Sequence, residues 1–134
     1  MKKFGLIGKS LKHSFSKDFF NQKFKELNLD NYQYNNYEIT HVNELVNLIK
    51  NTDIIGLNVT IPYKTKIIKI LDKIDDKAKK IQAVNTIKIK NNKIIGYNTD
   101  VIGFEKSISP LIKGRKKALI LGNGSSSKTG ENLL

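Results

Sequence analysis

The side chains most able to do chemistry in this chain fall in four short stretches far apart in the sequence. Ser14 and Ser16 precede a helix-like segment, and two hydroxyls beside a helix N-terminus make a seat for a carboxylate. The plainer use of Ser16 is as a helix cap, and one serine can serve both ends. In Asn58-Val59-Thr60-Ile61-Pro62-Tyr63-Lys64, Asn58 and Thr60 alternate with apolar residues and so point to one side, while Pro62 turns the chain out of its strand. Among 24 Lys and Arg a single lysine is surface charge by default; its neighbours single out Lys64. Asn85 and Asn98 form a third set with Asp100, which opens a helix where an acid also suits the helix dipole. A lysine and an aspartate among amides and hydroxyls suit a small polyhydroxylated acid. Serines hold its carboxylate, amides its ring hydroxyls, and the Lys/Asp pair handles one hydroxyl proton. Burial lowers a lysine pKa and a neighbouring carboxylate raises it, so the sequence leaves open which of Lys64 and Asp100 takes that proton. The fourth stretch, Gly122-Asn123-Gly124-Ser125-Ser126-Ser127, follows an apolar run and opens a helix, the context of a dinucleotide pyrophosphate turn; alone it is a weak signal.

These stretches need a scaffold that gathers them, and the periodicities supply an α/β one, with ligands expected at the carboxyl edge of an open sheet. Strand-like runs cover residues 4–8, 32–39 and 54–59. A helix over residues 16–29 carries Phe20, Phe24 and Leu27 on one face, and Val42, Leu45, Val46 and Ile49 mark a second. Residues 63–81 read as one or two short helices, followed by strands over 84–90 and 93–98. Asn91-Asn92 between them suits a two-residue hairpin, because asparagine tolerates φ > 0. That loop sets Ile89 opposite Ile94, Ile87 opposite Gly96 and Asn85 opposite Asn98; a slip of one residue would turn Asn85 to the other face. A helix is expected over residues 99–113 with Pro110 near its end, then a basic linker and a further strand over 118–121. The expected domains are residues 1–113, and 114–134 as linker and the opening of a second unit, because a βαβ unit needs about 30 residues. The chain reads as the first domain of a longer protein.

Composition excludes several classes. With 134 residues there is one domain's worth of chain, and no apolar run approaches the ~20 residues of a membrane span, which points to a soluble, cytoplasmic protein. No cysteine and only two histidines leave neither a disulfide framework nor a metal site. The net charge of +12 raises a nucleic-acid-binding module as an alternative of a different class. Against it, Arg115 is the only arginine and the lysines are spread along the chain, as on a solvated surface.

In order and spacing these motifs resemble the shikimate dehydrogenase family over essentially the whole chain. Lys9-Ser10-Leu11-Lys12-His13-Ser14-Phe15-Ser16 is similar to its substrate-carboxylate loop, and Asn58 to Lys64 to its N-V-T-x-P-x-K motif. Ala83-Val84-Asn85-Thr86 and Asn98-Thr99-Asp100 match two more. The resemblance implies a substrate domain with a mostly parallel, twisted sheet flanked by helices, followed by the first strand and turn of a Rossmann domain. It implies substrate contacts from Ser14, Ser16, Asn58, Thr60, Lys64, Asn85 and Asp100, with Lys64 and Asp100 as the catalytic pair. Gly122, Asn123, Gly124, Ser125, Ser126 and Ser127 would belong to the NADP turn, NAD not being excluded. The implied activity interconverts 3-dehydroshikimate and shikimate on the route to chorismate and aromatic amino acids; a dehydrogenase that also accepts quinate is the near alternative. Lys17 and Gln82 stand where the family often has Pro and Gly. Oligomeric state stays open, a homodimer of the intact protein included. Alone, these 134 residues are expected to be inactive, since hydride transfer needs the nicotinamide held ~3 to 3.5 Å from the reacting carbon.

Overall fold

The computed structural model describes residues 1–112, 114 and 117–131. Lys113, Arg115 and Lys116 of the expected basic linker, and the expected domain boundary with them, lie outside the described residues. The elements run β1 (Lys2–Gly8), α1 (Ser16–Glu26), β2 (Tyr32–Glu38), α2 (Glu44–Lys50), β3 (Ile54–Val59), a 3-10 helix (Lys66–Ile70) and β4 (Lys73–Ile74). They continue with α3 (Asp76–Ile81), β5 (Thr86–Lys90), β6 (Lys93–Tyr97), α4 (Asp100–Ile108) and α5 (Ser125–Glu131).

The strands form one mixed sheet in the order β2-β1-β3-β5-β6-β4. β1 pairs in parallel with β2 and β3, and β4 with β6, while β5 runs antiparallel to both of its neighbours. Reversing β5 alone leaves the sheet mostly parallel. Chain order departs to either side of β1, so the loops after β1 and β3 diverge there, which is where open α/β sheets leave a ligand crevice. Because β5 is reversed, it begins at the edge where β3 ends, with Thr86 opposite Asn58.

Both faces are packed by the expected apolar periodicities. On one, Ile7, Leu57, Val59 and Ile87 bury against Leu45 of α2, Ile67 of the 3-10 helix and Ala78 of α3. Each large aliphatic side chain so buried contributes about 1.5–3 kcal/mol. On the other, α1 lays Phe20 and Phe24 over Phe4, Leu6 and Tyr34. α1 also protects the edge strand β2: the Asn21 side chain donates to the Tyr34 carbonyl and accepts from the Tyr34 N–H, both at 2.9 Å. Gly8 ends β1 without a side chain for a steric reason, since a Cβ there would lie 2.6 Å from Leu11 Cδ2 and 2.8 Å from Thr60 Cγ2. Its absence lets the loops after β1 and β3 close on each other.

The hairpin forms as its two asparagines require, Asn91 at φ 51° and Asn92 at φ 58°. Ile89 pairs with Ile94 and Ile87 with Gly96 in the expected register. The ladder ends at Thr86 and Tyr97, so Asn85 and Asn98 sit one step past it, where the Asn85 N–H donates to the Tyr97 carbonyl at 3.1 Å.

Several expectations are corrected. Residues 63–81 hold two short helices, as expected, but a two-residue strand that was not expected lies between them. Asp72 docks on β6, its N–H donating to the Ile94 carbonyl (2.9 Å) and its carboxylate accepting from the Ile94 N–H (2.6 Å), just ahead of the short edge strand β4, whose Lys73 and Ile74 pair with Ile95 and Gly96. Leu27 is not on the buried face of α1: the helix ends at Glu26, Asn28 turns left-handed at φ 54°, and Leu27 is 55 % exposed. α4 stops at Ile108, short of Pro110. Residues 118–121 form no strand; Leu119 and Leu121 are about 85 % exposed, and no described strand pairs with them to satisfy a parallel ladder. No helix among the described residues is long and apolar enough to cross a membrane.

Two buried polar side chains fasten the connections. The Tyr63 hydroxyl is shared between the carbonyls of Ile39 (2.6 Å) and Thr40 (2.8 Å). Asn98 donates to the Ala83 carbonyl at 2.9 Å and accepts from the Val101 N–H at 3.2 Å, tying the start of α4 to the segment before β5. Tyr63→Phe should lower unfolding free energy in urea by about 1–2 kcal/mol, and Asn98→Ala by about 2 kcal/mol, with far-ultraviolet dichroism of the folded state unchanged in both. A loss under about 0.3 kcal/mol would show that these bonds do not support the fold.

Candidate active site

The carboxyl ends of β1, β3 and β6 and the start of the reversed β5 meet at one rim of the sheet. A cleft of about 490 Å³ opens there, and its lining includes Ser14, Ser16, Asn58, Thr60, Lys64, Asn85 and Asp100. All seven residues expected at a substrate site therefore share one cavity, although 86 positions separate the first from the last.

At its centre is the Asp100 carboxylate in the first turn of α4. One oxygen accepts from the Lys64 ammonium at 2.6 Å and the other from the Asn85 amide at 2.7 Å. Asn85 is itself fixed. Its NH2 also donates to the Thr99 hydroxyl at 2.9 Å, while its carbonyl oxygen accepts from the Thr99 N–H at 2.8 Å and the Thr86 hydroxyl at 3.0 Å. The lysine side chain is 18 % exposed and the aspartate 43 %, so the pair reaches water on the cleft side while its stems are held. The sheet places Lys64: the Val59 N–H donates to the Asn85 carbonyl at 2.8 Å and the Val84 N–H to the Lys64 carbonyl at 2.7 Å. Between them the Ile61-Pro62 peptide is cis.

The serine loop is built by a different contact. The Leu11 N–H donates to the Glu38 carboxylate at 2.6 Å and the Ser14 N–H to the Leu11 carbonyl at 3.0 Å, folding residues 11–14 against the end of β2. The expected helix cap is shifted: Phe15 is the N-cap residue, and the Ser14 hydroxyl accepts from the Ser16 N–H at 3.3 Å. Ser16 is thus the first residue of α1, not its cap. Both hydroxyls lie at the positive end of α1, and Asp100 marks the same end of α4, so two helix N-termini face the cleft and favour an anion there.

The expected pairing of Asn85 with Asn98 splits into two roles. Asn98 is 3 % exposed and spends its amide on backbone groups, whereas Asn85 turns its NH2 toward Asp100. Three further residues hold the site and were not singled out from sequence. Glu38 anchors the serine loop, Thr99 orients Asn85, and the Tyr34 hydroxyl donates to Asn58 Oδ1 at 2.8 Å. Tyr34 is a buried strand position, Glu38 the exposed last residue of β2 and Thr99 the residue before α4, and none of these places marks a site before the pairing of the strands is known. A second hollow of about 550 Å³ lies on the open sheet face beside α1, walled by Phe4, Phe20, Phe24 and Tyr34; it holds no acid–base pair. Asn58 borders both hollows.

The glycine turn lies apart from the cleft, and none of Gly122, Asn123, Gly124, Ser125, Ser126 and Ser127 lines it. Its geometry fits a pyrophosphate turn. Gly122 has φ +117°, a conformation open to glycine, nothing stands within 4 Å of a Cβ built on Gly124, and α5 starts directly afterwards. The strand that would precede such a turn is not formed among the described residues.

The family model for the shikimate dehydrogenase substrate binding domain matches residues 6–87. A shikimate dehydrogenase (NADP(+)) of Methanococcus vannielii is 47 % identical over 129 residues, covering 93 % of this chain and 45 % of the relative. A crystal structure of shikimate dehydrogenase 1 from Peptoclostridium difficile superposes with a TM-score of 0.90 at 40 % identity, covering 99 % of this chain and 50 % of that one. The shikimate 5-dehydrogenase of Thermus thermophilus, solved in complex with shikimate, superposes with a TM-score of 0.83 at 28 % identity, covering 96 % and 50 %. The chain thus spans about half the length of the curated relatives it matches. The family match runs from the last residues of β1 to the start of β5, so it takes in both serines, the Asn58-to-Lys64 loop and Asn85, and the chain belongs to the shikimate dehydrogenase substrate-binding-domain family.

Proposed function

We propose that the cleft binds shikimate and 3-dehydroshikimate, and that in the full-length enzyme it is the substrate half of an NADP-dependent dehydrogenase interconverting them, a cytoplasmic step toward chorismate and aromatic amino acids. Residues 1–113 form the substrate domain in this reading, and 114–134 the linker and the opening of the cofactor domain. One observation carries it: Lys64 Nζ and Asp100 Oδ2, 36 residues apart in sequence, lie 2.6 Å from each other in a cleft lined with hydroxyls and amides.

Each group has a part. The Ser14 and Ser16 hydroxyls donate to the ring carboxylate, helped by the positive end of α1. Asn58 and Thr60 hold ring hydroxyls, and so orient the reacting carbon, while Asn85, its amide already spent on Asp100, Thr99 and Thr86, lines the cleft and positions the Asp100 carboxylate. When the ring hydroxyl is oxidised its proton must leave, and when the ketone is reduced its oxygen must gain one; the Lys64–Asp100 pair gives and takes that proton as a unit. NADP, when bound, supplies the hydride in one direction and accepts it in the other, and the backbone of Gly122 to Ser127 is the part of this chain that would hold its pyrophosphate. The +12 charge serves the same reading, since a cationic surface draws anionic substrates inward.

The primary test is shikimate oxidation by the full-length enzyme, followed by reduced-nicotinamide absorbance with NADP, with NAD and quinate as comparisons. No turnover of shikimate by folded protein refutes the reading; equal turnover of quinate broadens the substrate class. Lys64→Ala should cut kcat by about 10²–10⁴-fold while thermal stability and shikimate KM change little. Asn85→Ala should also depress kcat, because it frees the Asp100 carboxylate, whereas Asn98→Ala should act on stability. Identical behaviour of the two asparagine variants would contradict the division of roles. The 134-residue chain should bind shikimate in calorimetry and show no turnover.

A further inference from the structure

We infer that Tyr34 is a positioning residue for ligand recognition, setting Asn58 as a hydrogen-bond donor toward the cleft; the inference rests on the shikimate reading above. Tyr34 lies in β2, two strands from Asn58 across β1, and its hydroxyl donates to Asn58 Oδ1 at 2.8 Å. Tyr34 borders the aromatic hollow and not the cleft, whereas Asn58 borders both. The phenol therefore takes the amide oxygen from the hollow side, and the NH2 is the part left for the cleft. That NH2 has no hydrogen-bond partner among the described residues and is not among the buried unpaired groups, so it is open to a ligand.

The tyrosine is itself immobilised. It is 3 % exposed, its ring stacks on Phe20 at 4.6 Å between centroids, and its backbone is clasped by Asn21. Burial pushes its phenol well above the ordinary tyrosine range, so the hydroxyl keeps its proton and its donor role at any pH at which the enzyme works. A free asparagine amide turns over between two orientations and offers a ligand either a donor or an acceptor; a phenol can accept as well as donate, but the Tyr34 proton has no other acceptor among the described residues, which favours the orientation that presents Oδ1 to it. The ligand atom opposite Asn58 must then be an acceptor, a hydroxyl oxygen or a carboxylate oxygen of the ring acid.

Tyr34→Phe removes only the hydroxyl and keeps the stacked ring. In the full-length enzyme it should raise shikimate KM about three- to tenfold with kcat within about twofold, as loss of a neutral hydrogen bond made equally in ground and transition states predicts. In an Asn58→Ala background the same change should do nothing further, a result that a general structural role would not give. Asn58→Asp, which keeps an acceptor for the phenol and removes the donor to the ligand, should raise KM at least as far while the melting temperature holds. An unchanged KM in Tyr34→Phe, a full additional loss on top of Asn58→Ala, or wild-type affinity in Asn58→Asp each overturns the inference while leaving the shikimate reading intact. Failure of the unaltered enzyme to oxidise shikimate overturns both.

Discussion

The Asp100 carboxylate is the knot on which the cleft depends. Its two oxygens accept from Lys64, in the loop after β3, and from Asn85, just before β5. A carboxylate between an ammonium and an amide NH2 has both oxygens satisfied, and the two charge-assisted hydrogen bonds fix its rotamer. Removing either strut leaves one Asp100 oxygen without its partner, and a group that moves a proton must be held close to its working geometry. The Asp100 side chain is still 43 % exposed, so the pair is held by hydrogen bonds more than by burial and stays accessible to a substrate.

The reversed strand makes that knot available. In a wholly parallel sheet the start of β5 would lie at the opposite edge from the end of β3, and Asn85 could not meet Lys64. Reversal sets Thr86 beside Asn58 and lets the hairpin return β6 to the same rim, so α4 begins there as well. A tight turn and a close approach support this geometry, the left-handed Asn91-Asn92 pair and the side-chain-free Gly8 at the end of β1 between Leu11 and Thr60. Supporting residues extend the idea outward: Glu38 holds the serine loop, Thr99 holds Asn85, and Tyr34 holds Asn58.

The scaffold was legible wherever local pattern and tertiary packing agree. Residues 54–59 have the composition of a buried strand and form one; the hairpin register followed from two asparagines alone. Misreadings came where long-range partners decide. Leu27 keeps the helical spacing of Phe20 and Phe24, but Asn28 ends the helix first, and spacing does not reveal a φ angle. Residues 73–74 carry no strand signal, because β4 exists only through pairing with β6, beside the Asp72 contact to Ile94 22 positions away. Residues 118–121 have strand composition and no partner strand among the described residues, and a lone parallel strand leaves its backbone groups to water.

By itself the sequence determined the types and order of the site residues, the α/β layering and the hairpin turn, because each rests on side-chain chemistry or short-range backbone preference. Family likeness lay in the same local motifs. Only the tertiary structure decided which of two similar asparagines faces Asp100, which serine begins α1, and which buried tyrosine orients Asn58. Those choices turn on the direction of a side chain across strands far apart in the chain, and direction is set by pairing register and packing, to which no single stretch of residues has access.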